Sequence, residues 1–217
     1  MFFFKIFFHQ EILQISKRKS YHFANIFSFI ILLSLFQIFT NNIEQNLSAN
    51  LFITFCNFAL LSSILLINQW FLSQDFHDGT LEQIIIKCQN LEIMIVAKCL
   101  ANWLFSCVPI IIFASIFSQI LYGEILIFWQ LFLILAIASL AMFFLFALCG
   151  CLNILGQLSA IIYVIALPLS LPILIITNLA ITENFLINLK ILSALVFFIV
   201  PLASFSMAKI IKISCDS

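Results

Sequence analysis

Charge is what this chain has least of. Only 8% of its 217 residues are Asp, Glu, Lys or Arg, against 65% hydrophobic residues, whereas soluble domains carry about 25% charged residues to cover their surface. A soluble fold is excluded on that ground. The nine basic and nine acidic residues cancel, so nothing pulls the chain toward nucleic acid. Glycine is scarce as well. With Gly79, Gly123, Gly150 and Gly156 alone, the chain contains no phosphate-cradling loop of the G-x-x-x-x-G-K-S/T kind, and ATP hydrolysis, if it drives this protein, belongs to another subunit. Arginine is reduced to Arg18, which argues against an organellar import peptide.

What is present is long uncharged runs. They extend from Ser20 to Ile43, Gln45 to Gln74, Cys99 to Gly123, Ile125 to Thr182 and Ile191 to Ala208. A bilayer core takes roughly 20 helical residues, so four runs fit one crossing each and the fourth, interrupted around Gly150, Asn153, Gly156 and Gln157, fits two. The expected architecture is all-α, a single polytopic domain over 1–217 with six transmembrane helices near Phe23–Phe39, Leu51–Phe71, Cys99–Gln119, Ile125–Cys149, Leu158–Ile181 and Ile187–Ala208. Barrel strands would alternate apolar and polar residues, and these runs do not.

Six crossings place both termini on one side. Lys5, Lys17, Arg18, Lys19, Lys87, Lys98, Lys209 and Lys212 then share that side and only Lys190 lies opposite, which by the positive-inside rule makes it the cytoplasm, or the matrix of an organelle. Within residues 1–19 the basic cluster follows the apolar stretch instead of preceding it, unlike a signal peptide. Phe4, Phe8, Ile12 and Ile15 gather on one helical face with Lys5, His9 and Gln10 nearer the other, the pattern of an interfacial amphipathic helix.

The seven cysteines, Cys56, Cys88, Cys99, Cys107, Cys149, Cys151 and Cys215, contain no C-x-x-C pair and read as small hydrophobes. His9, His22 and His77 give no convergent haem-ligand set. Trp70, Trp103 and Trp129 read as interface anchors. No pair of intramembrane ionisable residues is visible, so proton-coupled carriage has no support. Pro168 and Pro172 in the fifth span mark the best candidate for a bent helix and a hinge. Catalytic, metal-binding and cofactor-binding residues are expected to be absent from this chain.

The most informative segment lies between spans two and three, residues 73–92. Thr80 with Gln83 forms a capping box and Gly79 allows a sharp entry. Leu81, Ile84, Ile85 and Cys88 follow helical spacing, and Asp78 and Glu82 sit where the helix dipole favours negative charge. This short helix either rests on the membrane with its acids solvated or receives a soluble subunit and passes its movements to the spans. Periodicity leaves both readings open.

The run Asp75 to Gln83, with Asp78-Gly79-Thr80-Leu81-Glu82-Gln83 at its heart, followed by Ala97-Lys98, Asn102-Trp103 and Pro109, resembles the CcmB family, membrane subunits of the ABC-type complex of cytochrome c maturation. The run Leu167-Pro168-Leu169 to Pro172 and the amphipathic start are also similar. The resemblance implies an ABC-2-type permease-like fold and a role in cytochrome c biogenesis, with ATP hydrolysed on a partner and haem as a substrate of the complex. It assigns ATPase coupling to Asp75, Asp78, Gly79, Thr80, Leu81, Glu82 and Gln83. Implied partners are the ATPase subunit CcmA, the membrane proteins CcmC and CcmD and the haem chaperone CcmE, in a lipid membrane, with two copies of this chain per complex. The implied location is the bacterial inner membrane, with the mitochondrial inner membrane as the alternative. Export of another hydrophobic substrate, or a non-transporting assembly scaffold, are the competing readings.

Overall fold

The computed structural model describes residues 8, 9, 11, 12, 19–40, 45–71, 90–122, 125–155, 159–182 and 184–216. Six long helices account for almost all of them: α1 Lys19–Thr40, α2 Gln45–Phe71, α3 Leu91–Tyr122, α4 Ile125–Leu155, α5 Ser159–Thr182 and α6 Phe185–Asp216. No strand occurs among the described residues. An apolar environment imposes this outcome, because a helix satisfies its own backbone donors and acceptors where no water can.

Stretches within α2, α3, α4 and α6 are long and apolar enough to cross a membrane, namely Leu51–Asn68, Leu91–Ile120, Phe128–Asn153 and Phe185–Ser214. Shorter apolar stretches, Asn25–Phe36 and Val164–Ala180, lie in α1 and α5. At 32, 31 and 32 residues, α3, α4 and α6 are each roughly 47 Å long. They exceed the hydrocarbon thickness of about 30 Å and accommodate it by tilting or by projecting beyond it.

Helix α4 is the centre of the bundle, packing against α2, α3, α5 and α6. Its buried stripe Leu131, Leu135, Ser139, Phe143, Ala147 and Cys151 repeats every four residues, and Ile134, Ala138, Ala141, Met142, Phe144 and Phe146 bury the flanking positions. Small residues among these let neighbouring backbones approach, which drives helix association where lipid removes the hydrophobic contribution. The aromatic contacts Phe36–Phe52 (5.5 Å between centroids), Phe36–Phe55 (5.0 Å) and Phe52–Phe117 (6.0 Å) tie α1, α2 and α3 together. Their spacing lies in the range favoured by aromatic pairs.

The exterior is apolar too. Phe197 is 83% exposed, and Leu186, Ile187, Phe198, Leu202 and Phe205 on α6 join Val164, Ile165, Leu169, Leu171 and Ile175 on α5 as exposed large side chains. Faces of this extent are unusual on soluble monomers and suit a lipid solvent. On α6 the exposed Lys190 and Lys209 bracket the uncharged run, which rises about 27 Å at 1.5 Å per residue. Lys209 Nζ lies 4.5 Å from the Phe205 ring centroid, a cation–π contact that steadies the ammonium at the end of the run.

Three boundaries differ from the sequence expectation. Helix α3 starts at Leu91, well before Cys99, and carries Lys98 two turns inside it. Helix α4 continues through Gly150 and Asn153 to Leu155, because Gly150 and Cys151 are buried against neighbouring helices and packing overrides the weak helix propensity of glycine. Helix α6 runs on to Asp216. The prolines do not interrupt their helices: Pro109, Pro168, Pro172 and Pro201 all sit inside continuous elements.

Candidate coupling site

The acidic motif Asp75, Asp78, Gly79, Thr80, Leu81, Glu82 and Gln83 lies outside the described residues, as do Lys87 and Cys88. What the structure places is its frame. Helix α2 ends at Phe71 and α3 begins at Leu91, and these two helices pack on each other and on α1. Asn90, Leu91 and Glu92, at the end of the expected loop, fall at the start of α3, with Glu92 exposed in its first turn. A carboxylate there faces the positive end of the helix dipole.

Next to this frame the structure assembles a polar cluster that sequence reasoning missed. Lys98, 3% exposed, donates from Nζ to Glu11 Oε1 at 3.0 Å. The expectation of no buried ionisable pair is therefore corrected. An uncharged-run criterion puts Lys98 outside the span, and nothing in the sequence pairs it with a carboxylate 87 positions away. Fully buried Ala97 and Ala101 flank it on α3. One signal was legible: a lysine two turns into an otherwise apolar helical run needs a partner. Asn102 Nδ2 donates to the Lys98 carbonyl at 3.2 Å.

Four positions of the expected N-terminal amphipathic helix are described. Phe8, Glu11 and Ile12 are half-buried while His9 is exposed, so the i, i+3, i+4 face turns inward. The rest of residues 1–18 lies outside the described set, apart from these four positions.

Two further polar contacts join helices inside the bundle. Asn57 Nδ2 on α2 donates to Asn178 Oδ1 on α5 at 3.1 Å. Trp103 Nε1 on α3 donates to Ser139 Oγ on α4 at 3.0 Å, so Trp103 is an interhelical tie rather than the interface anchor expected. Trp129, exposed near the start of α4, fits the anchor expectation. Asn68 on α2 donates to the Ile64 carbonyl at 3.0 Å while its Oδ1, like both amide atoms of Asn25 on α1, is buried without a partner. A buried polar atom left without a partner costs about 1–3 kcal/mol.

Pro168 and Pro172 both lie in α5 and are exposed. Each deprives the carbonyl four residues earlier of its donor. Ser170 Oγ donates to the Leu167 carbonyl at 2.7 Å and Thr177 Oγ1 to the Ile173 carbonyl, so side-chain back-bonding accompanies the proline turns, an arrangement that tends to bend helices. Cys56, Cys99, Cys107, Cys149 and Cys151 are free and buried, in keeping with small hydrophobes. No group of three or more His, Cys, Asp or Glu residues able to hold a metal occurs among the described residues.

The described residues form an apolar helical bundle with a buried ion pair near the start of α3. The family model described as CcmB protein matches residues 1–214. The chain belongs to the CcmB family. A relative named heme exporter protein B, from Haemophilus influenzae, is 31% identical over 166 residues, covering 73% of this chain and 74% of that protein. A second protein of the same name, from Pseudomonas aeruginosa, is 33% identical over 63 residues, 29% of this chain and 28% of that protein. Family membership accounts for an apolar chain with no nucleotide-binding loop, since a CcmB protein is a membrane transport subunit and not itself catalytic. It also gives haem transport and cytochrome c-type biogenesis as the setting in which this chain acts.

Proposed function

We propose that this CcmB-family chain converts ATP hydrolysis on a partner ATPase into movement of membrane helices during cytochrome c maturation, and that the movement drives release of the haem-loaded chaperone from the haem-handling membrane protein. The supporting observation is the match to the CcmB family over residues 1–214, joined to a fold in which α2 and α3 bracket the acidic run Asp75 to Gln83. In this reading all six helices cross the inner membrane and both termini face the cytoplasm. The basic residues at 87, 98, 209 and 212 then share the cytoplasmic side with the acidic loop. The loop forms a short coupling helix on which the ATPase seats, with Asp78 and Glu82 toward the partner and Leu81, Ile84 and Ile85 toward the bundle. Pro168 and Pro172 supply the bend that α5 uses. The complex contains the ATPase, two copies of this chain, and the haem-handling proteins CcmC, CcmD and CcmE. Haem is handled by the complex and needs no ligand on this chain, and the exposed His9 offers no enclosed site for it.

The test is haem staining of c-type cytochromes in a bacterial strain lacking its own CcmB, with this chain and its cognate ATPase expressed together. Restored staining that disappears with a catalytically dead ATPase supports the reading, and absent staining despite stable insertion and ATPase binding overturns it. In the same strain Asp78→Lys or Glu82→Lys weakens ATPase co-purification at unchanged membrane level; unchanged co-purification removes the docking role from the motif.

A further inference from the structure

Burying an ammonium and a carboxylate strips both of water, and their attraction offsets this only when geometry is good and both partners are present. Lys98 and Glu11 meet that requirement at 3.0 Å, with side chains 4% and 13% exposed. The lysine stands seven residues from the first residue of α3, about 10 Å along the helix, between buried Ala97 and Ala101. Apolar side chains of like size would fill such a site with equal or greater stability, so what the ionic pair adds is selectivity for one docking position. Its partner belongs to a remote segment, seated on the bundle by the half-buried Phe8 and Ile12 on the same helical face, with His9 outward.

We propose that Glu11 and Lys98 form a buried latch that fixes the N-terminal segment in one register on α3. The two are positioning residues: they make the described N-terminal positions move as a unit with α3, the helix that follows residues 72–89. Displacement of α3 at its N-terminal end carries Phe8, Glu11 and Ile12 with it, and six residues of sequence separate Ile12 from the start of α1 at Lys19. The latch links α3 to α1 by a second route besides their direct packing. Its consequence for activity rests on the ATP-coupled reading above. The structural part does not.

The test uses the full chain in membranes with its cognate ATPase, in a Cys88→Ser, Cys215→Ser background carrying Phe8→Cys as a reporter of docking. Maleimide labelling of the reporter should accelerate at least about tenfold in Lys98→Met, which leaves the Glu11 charge buried, and by a smaller factor in Glu11→Gln, where Lys98 keeps another interaction. Exchanging the charges with Glu11→Lys and Lys98→Glu should return labelling to within about twofold of the parent. The double change Glu11→Gln, Lys98→Met removes both charges and serves as a control for folding, and its membrane level should match the parent. Unaltered labelling in both single variants overturns the latch. In parallel, haem staining per ATP hydrolysed should fall in the single variants and recover in the exchange variant, at unchanged protein level. Accelerated labelling with an unchanged ratio overturns the positioning role. Failure of the parent chain to support ATPase-dependent staining is a failure of the functional reading, and the labelling arm still decides whether the latch exists.

Discussion

The amide pair Asn57–Asn178 offers a quantitative check on how this bundle is held together. At 3.1 Å it is a normal N–H···O bond between α2 and α5, with Asn57 only 2% exposed. Interhelical hydrogen bonds within membranes contribute about 0.6 kcal/mol on average and up to about 1.7 kcal/mol, because the unfolded helices also find partners. The two single substitutions should not cost the same. Asn178 makes another interaction besides this bond, so Asn57→Leu leaves it partly satisfied, whereas Asn178→Leu strands the buried Asn57 amide at a cost of about 1–3 kcal/mol. The assay is reversible unfolding in mixed lipid–detergent bicelles for the parent, both single variants and the double variant. Expected are a coupling energy of roughly 0.6–1.7 kcal/mol and a larger loss for Asn178→Leu. A coupling below about 0.3 kcal/mol, the ordinary error of additivity, would refute the tie, and a larger loss for Asn57→Leu would refute the asymmetry.

Two other outcomes follow from burial. Phe143→Ala, at a fully buried position of α4, should destabilise by about 2 kcal/mol or more through lost packing, while Phe197→Ala on the exposed face of α6 should stay within about 0.5 kcal/mol; equal effects in the same unfolding assay would contradict the placement of α4 at the centre. The thiols of Cys56, Cys99, Cys107, Cys149 and Cys151 are all buried, so none should react with maleimide until the chain is unfolded in strong detergent, and mass spectrometry showing rapid modification of Cys107 in the native protein would contradict its burial.

Most of the helix pattern was legible because charge is so expensive in an apolar medium that its spacing marks out the chain. The end of α2 at Phe71 and the start of α4 at Ile125 coincide with the expected boundaries. The start of α3 did not, for a specific reason. By sequence alone Lys98 marks a boundary, because a lone lysine disfavours a span, and the partner that makes it tolerable comes from a segment no local rule connects to it. Gly150 and Asn153 read as a break by propensity, while buried Gly150 and Cys151 keep α4 helical through contacts that only the folded bundle supplies. Trp103 followed the general habit of tryptophan at interfaces until Ser139 on a neighbouring helix gave its indole a partner. Of the candidate site, the acidic motif rests on its capping box and the resemblance it carries, and it lies outside the described residues. The ion pair was not legible, since pairing across distant segments is a property of tertiary structure.

The position of α4 has a mechanical consequence. A helix gripped by α2, α3, α5 and α6 cannot tilt without disturbing all four interfaces, so it acts as a fixed mast for the bundle. Freedom belongs to the elements with fewer neighbours. Helix α1 packs chiefly on α2 and α3, the same two helices between which the acidic motif lies in sequence. A displacement of α1 is therefore opposed by fewer helices than a displacement of α4.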